Sequence, residues 1–245
     1  MNTFSRAPRI YADVPLEGGR DVPLEKEQRH YLTRVMRLKA GDRARVFNSR
    51  DGEWLCELAG AGKRDFRLLC LEKLAEPSAP PDIDYIFAPL KHARVDYMAQ
   101  KAAEMGARRL IPVFTEFTQV KRVNVGRLRA NAIEAAEQCN LVFAPPVLEP
   151  VSFQALLDGW DASRAIIYCD EAAPLSNPLE ALRAVPEGPL AVLIGPEGGF
   201  SPRERRRLRE LDFVFPISLG PRIMRADTAA VAALALIQAV LGDWS

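Results

Sequence analysis

Two stretches of the chain carry residues able to do chemistry. "LIGPEGGFS" ends an apolar run at Gly195 and turns through Glu197, Gly198 and Gly199 before a charged segment opens at Ser201. "SLGPRIMRADT" ends a second apolar run at Leu219 and turns through Gly220 and Pro221, with Arg222 and Arg225 inside the turn. A glycine turn between a strand and a helix commonly receives a phosphate. The first turn, however, matches neither G-x-G-x-x-G nor the P-loop, whose Lys and Ser/Thr it lacks. A carboxylate at Glu197 would also repel pyrophosphate. A cationic or neutral polar ligand suits this turn better. In the second turn, an arginine can steady an anionic group on ligand or substrate. Glu197 either orients the ligand turn or caps the helix starting near Ser201. Asp227 or Thr228 is placed to cap the helix after the second turn.

Other chemistries find little support. Cys56, Cys70, Cys139 and Cys169 form no C-x-x-C pair, and His30 and His92 are too far apart for a local metal motif. No metal is expected, and the thiols read as small buried hydrophobes. No segment reaches the ~20 apolar residues of a membrane span. The longest candidate, Ala229 to Val240, is short and contains Gln238. The first residues show no apolar signal core, so the expected location is the cytoplasm. The net charge of +1 conceals an asymmetry: 15 Lys and Arg against 11 Asp and Glu in residues 1–74, and 18 against 21 in the remainder. The N-terminal part is the better candidate for a polyanion contact.

These turns must be held by elements the pattern also predicts. "AEPSAPPD", Ala75 to Asp82, reads as a linker because its prolines favour extended backbone. Before it, residues 1–74 read as a small β-barrel with one helix. Its strands are Ala44–Ser49, Glu53–Leu58 and Phe66–Leu74, with "SRDG" as a turn. The helix starts at Glu25 and places Leu32, Val35 and Met36 on an apolar side. After the linker, residues 83–245 alternate. Strands are expected at Ile83–Leu90, Arg109–Phe114, Arg164–Asp170, Pro189–Gly195 and Phe213–Leu219. Helices are expected at Ala93–Ala107 and Val125–Cys139 and from about Asn177, Ser201 and Asp227. Apolar strands alternating with helices predict a parallel sheet covered on both faces, with ligands beyond the strands' carboxyl ends. Three loops lie there: Cys169–Pro174, Gly195–Phe200 and Leu219–Thr228.

"IGPEGGFSPRE" followed by "SLGPRIMRADTAAVAAL" resembles the signature of the RsmE family, ribosomal RNA small-subunit methyltransferases acting on N3 of a uridine in 16S rRNA. "HYLTRVMRLKAGD", "QKAAEMGARRLIPVFTE" and "AIEAAEQC" are similar to that family's segments, in the same order. The resemblance implies an α/β SPOUT-type domain with a trefoil knot, behind an N-terminal PUA-like β-barrel that helps hold RNA. It implies S-adenosylmethionine in the knot, 16S rRNA of the small ribosomal subunit as partner, and a homodimer.

Carried over by motif, Cys169 and Asp170 begin the first cofactor loop, and Gly195 with Glu197, Gly198 and Gly199 form the second. Ile217, Leu219, Gly220, Ile223 and Arg225 form the third, with Thr228 and Ala229 opening the last helix. Arg225, with Arg222 nearby, would support negative charge on the uracil, and Glu197 would act in the same site. Arg9, His30, Arg34 and Arg37 resemble barrel-side RNA contacts, Arg34 and Arg37 sharing a helix face at i,i+3. Glu137 and Gln138 could reach the site, whereas "RERRRLRE" reads as a solvated helix face. Two departures stand out. Many relatives have Leu-Arg-Thr-Glu-Thr-Ala where this chain has Met224, Arg225, Ala226, Asp227, Thr228 and Ala229. Leu141 also stands where relatives have arginine. The alternatives are a transfer-RNA methyltransferase of the same class and a non-catalytic RNA-binding or ribosome assembly factor. A Rossmann oxidoreductase is disfavoured by the missing glycine fingerprint.

Overall fold

The computed structural model describes residues 7–60, 66–91, 93–170, 173 and 177–244. The chain divides into two compact units, residues 1–79 with 136–144, and residues 80–135 with 145–245.

The first unit is a five-stranded curled sheet in the order β1-β3-β4-β5-β2. It contains β1 (Arg9–Tyr11), β2 (Asp21–Pro23), β3 (Arg43–Asn48), β4 (Gly52–Ala59) and β5 (Arg67–Ala75). β1 runs parallel to β3, and the remaining pairs are antiparallel. Alternating side chains put Ala44, Val46, Cys56, Leu58, Leu68 and Cys70 into one core, as a half-buried sheet requires. Cys56 and Cys70 face each other across β4 and β5 with sulfurs 3.5 Å apart. β1 and β2, three residues each, are too short to show a period of two.

The helix expected from Glu25 is shorter than its apolar pattern suggests. α1 (Lys26–His30) passes into a π-helical turn at Tyr31–Val35, and Arg37 adopts a left-handed φ of 59°. Only Leu32 is buried; Val35 is 58% exposed and Met36 also faces solvent. The shared helix face expected for Arg34 and Arg37 is therefore absent, because the chain has left the helix before Arg37.

The second unit carries a six-stranded parallel sheet, β11-β9-β10-β6-β7-β8. Its strands are β6 (Ile83–Phe87), β7 (Arg109–Phe114), β8 (Val151–Ser152), β9 (Ala165–Cys169), β10 (Leu190–Ile194) and β11 (Val214–Ile217). Its helices are α2 (Ala93–Glu104), most of α3 (Val125–Gln138), α4 (Phe153–Asp158), α5 (Pro178–Arg183), α6 (Pro202–Arg209) and α7 (Ala226–Leu241). Successive residues feed opposite faces. Leu190, Val192 and Ile194 join the core under α7, while Ala191 and Leu193 join Phe153, Phe200 and Leu208. Continuous apolar strands are what two covered faces demand. α7 packs on α2, α5 and β10. This is the SPOUT-type parallel sheet with a PUA-like barrel that the resemblance implies.

At the sheet's amino end, Asp84 is fully buried between guanidinium groups. Arg109 Nε donates to it at 2.9 Å, with Arg164 at 3.3 Å and Arg108 at 3.4 Å. Arg164 also donates to the backbone oxygens of Asp82 and Leu190. A buried carboxylate is tolerated only with such partners.

Candidate cofactor and methyl-transfer site

At the carboxyl end of the same sheet lies a cavity of about 310 Å³, within the range of small-molecule sites. It is lined by the ends of β9, β10 and β11 and the loops leaving them. The two Gly-Pro loops are not on adjacent strands, because β9 runs between β10 and β11. Cys169 and Asp170, at the end of β9, therefore lie between the two loops. Of the rest of the first loop, residues 171, 172 and 174 lie outside the described residues.

The turn after β10 is built rigidly. Gly199 has a φ of 68° and donates to Pro196 O, closing the turn. A side chain at Gly195 would bring its Cβ within 2.9 Å of the Phe200 ring. Phe200 is itself buried against Tyr168, so the ring cannot yield cheaply. The cap of α6 is made by Ser201 and Glu204, each accepting from the other's backbone N–H at 3.3 and 2.9 Å. This is the capping box, and it answers the alternative left open for Glu197. Glu197 does not cap. Its half-exposed carboxylate accepts from Arg94 at 3.2 Å, and Arg94 Nε lies 3.9 Å from Asp227. Arg94, on α2, thus ties the turn after β10 to the start of α7.

The loop after β11 is more open. Gly220 has a φ of 102° and donates to Ser218 Oγ. Ile223 is 90% exposed, and Arg222 and Arg225 are exposed too. Arg225 is the N-cap residue of α7 without a side-chain cap bond, and Asp227 accepts only from the Thr228 N–H. The capping role expected of Asp227 or Thr228 thus reduces to an acid in the first helical turn, where it favours the helix dipole.

Most residues expected at the cofactor loops line the cavity: Cys169, Asp170, Gly195, Glu197, Gly199, Ile217, Leu219, Gly220, Ile223 and Ala229, together with Arg222. Gly198, Arg225 and Thr228 belong to the same loops without lining it. Burial pushes the Cys169 thiol up to about 12, so it is a neutral wall group. Asp170 accepts from Tyr168 Oη and from Arg209 at 3.0 Å, with Arg205 at 3.8 Å. The charged helix read as solvated therefore sends Arg205 and Arg209 to the buried acid of the site. Arg94, Arg205 and Phe200 were missed because no local pattern links them to the turns.

The residues expected at an RNA surface separate in the first unit. His30, Arg34 and Arg37 are exposed. Arg9 is 5% exposed, and its guanidinium donates to Glu53 and to the backbone oxygens of Ala136, Glu137 and Leu141. Its hydrogen-bonding capacity is used internally, which corrects the expectation of an RNA contact. Glu137 Oε1 accepts from the Tyr11 N–H. Asn140, with a φ of 57°, accepts from Arg45.

Comparison with known proteins gives the family. Residues 77–238 match the RNA methyltransferase domain, and residues 24–69 match the RNA methyltransferase PUA domain. The fold is thus that of an RNA methyltransferase. A Ribosomal RNA small subunit methyltransferase E from Bacillus subtilis is 34% identical over 86% of this chain and 87% of its own length. The chain belongs to that family, the ribosomal RNA small subunit methyltransferases E. A member from Neisseria gonorrhoeae, crystallised bound to S-adenosyl methionine, superposes with a TM-score of 0.87 at 25% identity, covering 98% of this chain and 100% of that one. A putative methyltransferase from Legionella pneumophila, in complex with bound SAM, gives 0.84 at 27% identity over 97% and 99% of the two chains.

Proposed function

We propose that this chain methylates N3 of a uridine in 16S rRNA, as a homodimer acting on the small ribosomal subunit in the cytoplasm. The observation that carries the reading is the cavity at the carboxyl ends of β9, β10 and β11, walled by two glycine turns with unpaired arginines at its edge. The cavity residues fit S-adenosylmethionine. Ile194, Ile217, Leu219 and Ala229 offer apolar walls for a nucleoside. The absence of side-chain volume at Gly195 keeps Phe200 in place. When bound, the cofactor supplies an electrophilic methyl group.

The chain's residues then have three tasks. The first is alignment: methyl donor and acceptor nitrogen must be held in line, which is chiefly proximity. The turn pinned by Arg94, Phe200 and the capping box supplies a fixed wall. The second is charge: N3 of uridine becomes nucleophilic as its proton passes to solvent water, placing negative charge on the ring. Among the described residues no ion pair engages Arg222 or Arg225, which leaves both cations for that charge. The third is RNA attachment, assigned to exposed His30, Arg34 and Arg37 through phosphate contacts. Gly198, Thr228 and Arg225 are assigned to the cofactor loops through their place in the turns.

Incubation with labelled cofactor and either unmodified small subunits or transfer RNA tests the reading. Label on a 16S uridine supports it. Label on transfer RNA alone selects the sister activity, and a chain that binds no cofactor is an assembly factor.

A further inference from the structure

Phe117 lies outside every motif that marked the site. It follows β7, whose carboxyl end is on the same side of the sheet as the cavity. The residue is 42% exposed. It also lies against the glycine turn: a Cβ placed on Gly198 would meet Phe117 Cβ at 3.4 Å and its ring carbons at 3.6 and 3.7 Å. Phe117 therefore lies within van der Waals reach of the Gly198 position.

The backbone that carries the ring is held in place. Thr118 N–H donates to Thr115 O at 3.1 Å, closing a turn with Glu116 and Phe117 at its corners. Thr115 N–H donates to Thr118 Oγ1 at 2.9 Å, and the two hydroxyls are 2.8 Å apart. Glu116 N–H donates to Glu204 Oε1 at 2.8 Å. Glu204 is buried, and its other oxygen caps α6 at Ser201. One carboxylate thus fixes both the helix leaving the cofactor turn and the turn that presents Phe117. Lys121 and Arg122, exposed a few residues on, add positive charge to this segment.

A single exposed apolar side chain usually has no significance. An aromatic ring carried on a fixed turn, against the glycine turn that walls the cavity, is different, because an enzyme acting on a base must take that base out of its stack. Unstacked bases are held on aromatic faces, and the arrangement tolerates any base because each has a π-face. We propose that Phe117 is the stacking platform for an unpaired base of the acceptor RNA strand, positioning that strand at the cavity. This rests on the methyltransferase reading above.

The test compares Phe117→Ala and Phe117→Trp with the parent chain. Five quantities are measured: kcat/KM for 16S substrate, affinity for S-adenosylhomocysteine by calorimetry, the salt dependence of RNA binding, the oligomeric state, and tryptophan quenching by a short oligouridylate. Stacking on one base is worth about 1–3 kcal/mol, so Phe117→Ala should lose about 5- to 150-fold in kcat/KM. Its S-adenosylhomocysteine affinity and the salt slope of RNA binding should stay unchanged, since no phosphate contact is removed. Phe117→Trp should keep activity and be quenched by the oligonucleotide. Unchanged kcat/KM in Phe117→Ala overturns the proposal. So does an equal loss of S-adenosylhomocysteine affinity, which would make Phe117 part of the cofactor wall. A shift in oligomeric state would assign the ring to a second copy and overturns it too. If the parent chain methylates no RNA, the functional reading fails, while quenching of the tryptophan variant still decides whether a base stacks there.

Discussion

The two ends of the parallel sheet use charge in opposite ways. At the amino end, Asp84 is surrounded by Arg108, Arg109 and Arg164, so that opposite charges are spent on one another. At the carboxyl end, Arg222 and Arg225 stand exposed on an open loop without an ion pair among the described residues. Charge that is paired internally holds strands together. Charge that is left unpaired beside a cavity can meet an anion that arrives later. The turn after β10 lies between these extremes. Its carboxylates are committed, Glu204 to caps and Glu197 to Arg94, yet its glycines keep a cavity open. Substitutions at the two ends should therefore separate stability from catalysis.

The largest effect is expected at the amino end. Asp84→Ala leaves three guanidinium groups around an empty buried site, a change that costs about 3–5 kcal/mol. Denaturant unfolding should register this loss, while the folded fraction keeps its cofactor affinity. An Asp84→Ala chain of parental stability would break the contrast. Next comes Arg225→Ala at the carboxyl end. Loss of one stabilising donor typically lowers kcat about 10²- to 10³-fold, and unfolding should remain as in the parent. Full turnover of this variant would move the charge role to Arg222, which the same substitution there would reveal.

Gly195→Ala sharpens the comparison from the middle. The added methyl meets Phe200 at 2.9 Å, an overpacking worth about 1–3 kcal/mol. It should weaken cofactor binding and stability together, unlike the first two variants. Arg94→Ala should act more gently. Both partners are about two-fifths exposed, and such pairs contribute about 0.2–1 kcal/mol at low salt. Cofactor affinity should fall a few-fold, and the difference should shrink as salt screens the pair. The smallest effect concerns thiol chemistry. Burial keeps the Cys169 thiol neutral well above pH 8, whereas Cys139 is exposed. Alkylation at pH 8 followed by peptide mass mapping should find Cys139 modified first, and prior reaction at Cys169 would contradict the wall role.

Much of the parallel sheet was legible because its strands are continuous apolar runs. β7 occupies Arg109–Phe114 as its pattern predicts, and β10 differs from the predicted run by one residue at each end. The glycine turns were legible from the residues that a left-handed or tightly packed backbone needs. Short elements were not: β8 has two residues and α4 six, below the length at which a period shows. The helix read through Val35 and Met36 failed for a different reason. Its spacing is helical, but a π-helical turn and the left-handed Arg37 redirect the backbone. Arg9 was read as an RNA contact from the family resemblance, which says nothing of its burial in this chain. Arg94, Arg205 and Phe117 come from separate elements. Only tertiary packing places Arg94 on Glu197, Arg205 by Asp170, and Phe117 on Gly198.

The central claim is that the cavity between the two glycine turns serves methyl transfer to one uridine. It is tested most directly by incubating the chain with S-adenosylmethionine and small subunits lacking the modification, then identifying nucleosides by mass spectrometry. The account predicts one N3-methyluridine per 16S rRNA, lost in Arg225→Ala under conditions where S-adenosylhomocysteine still binds. Methyl groups appearing on another atom or another RNA, or none despite bound cofactor, would contradict it.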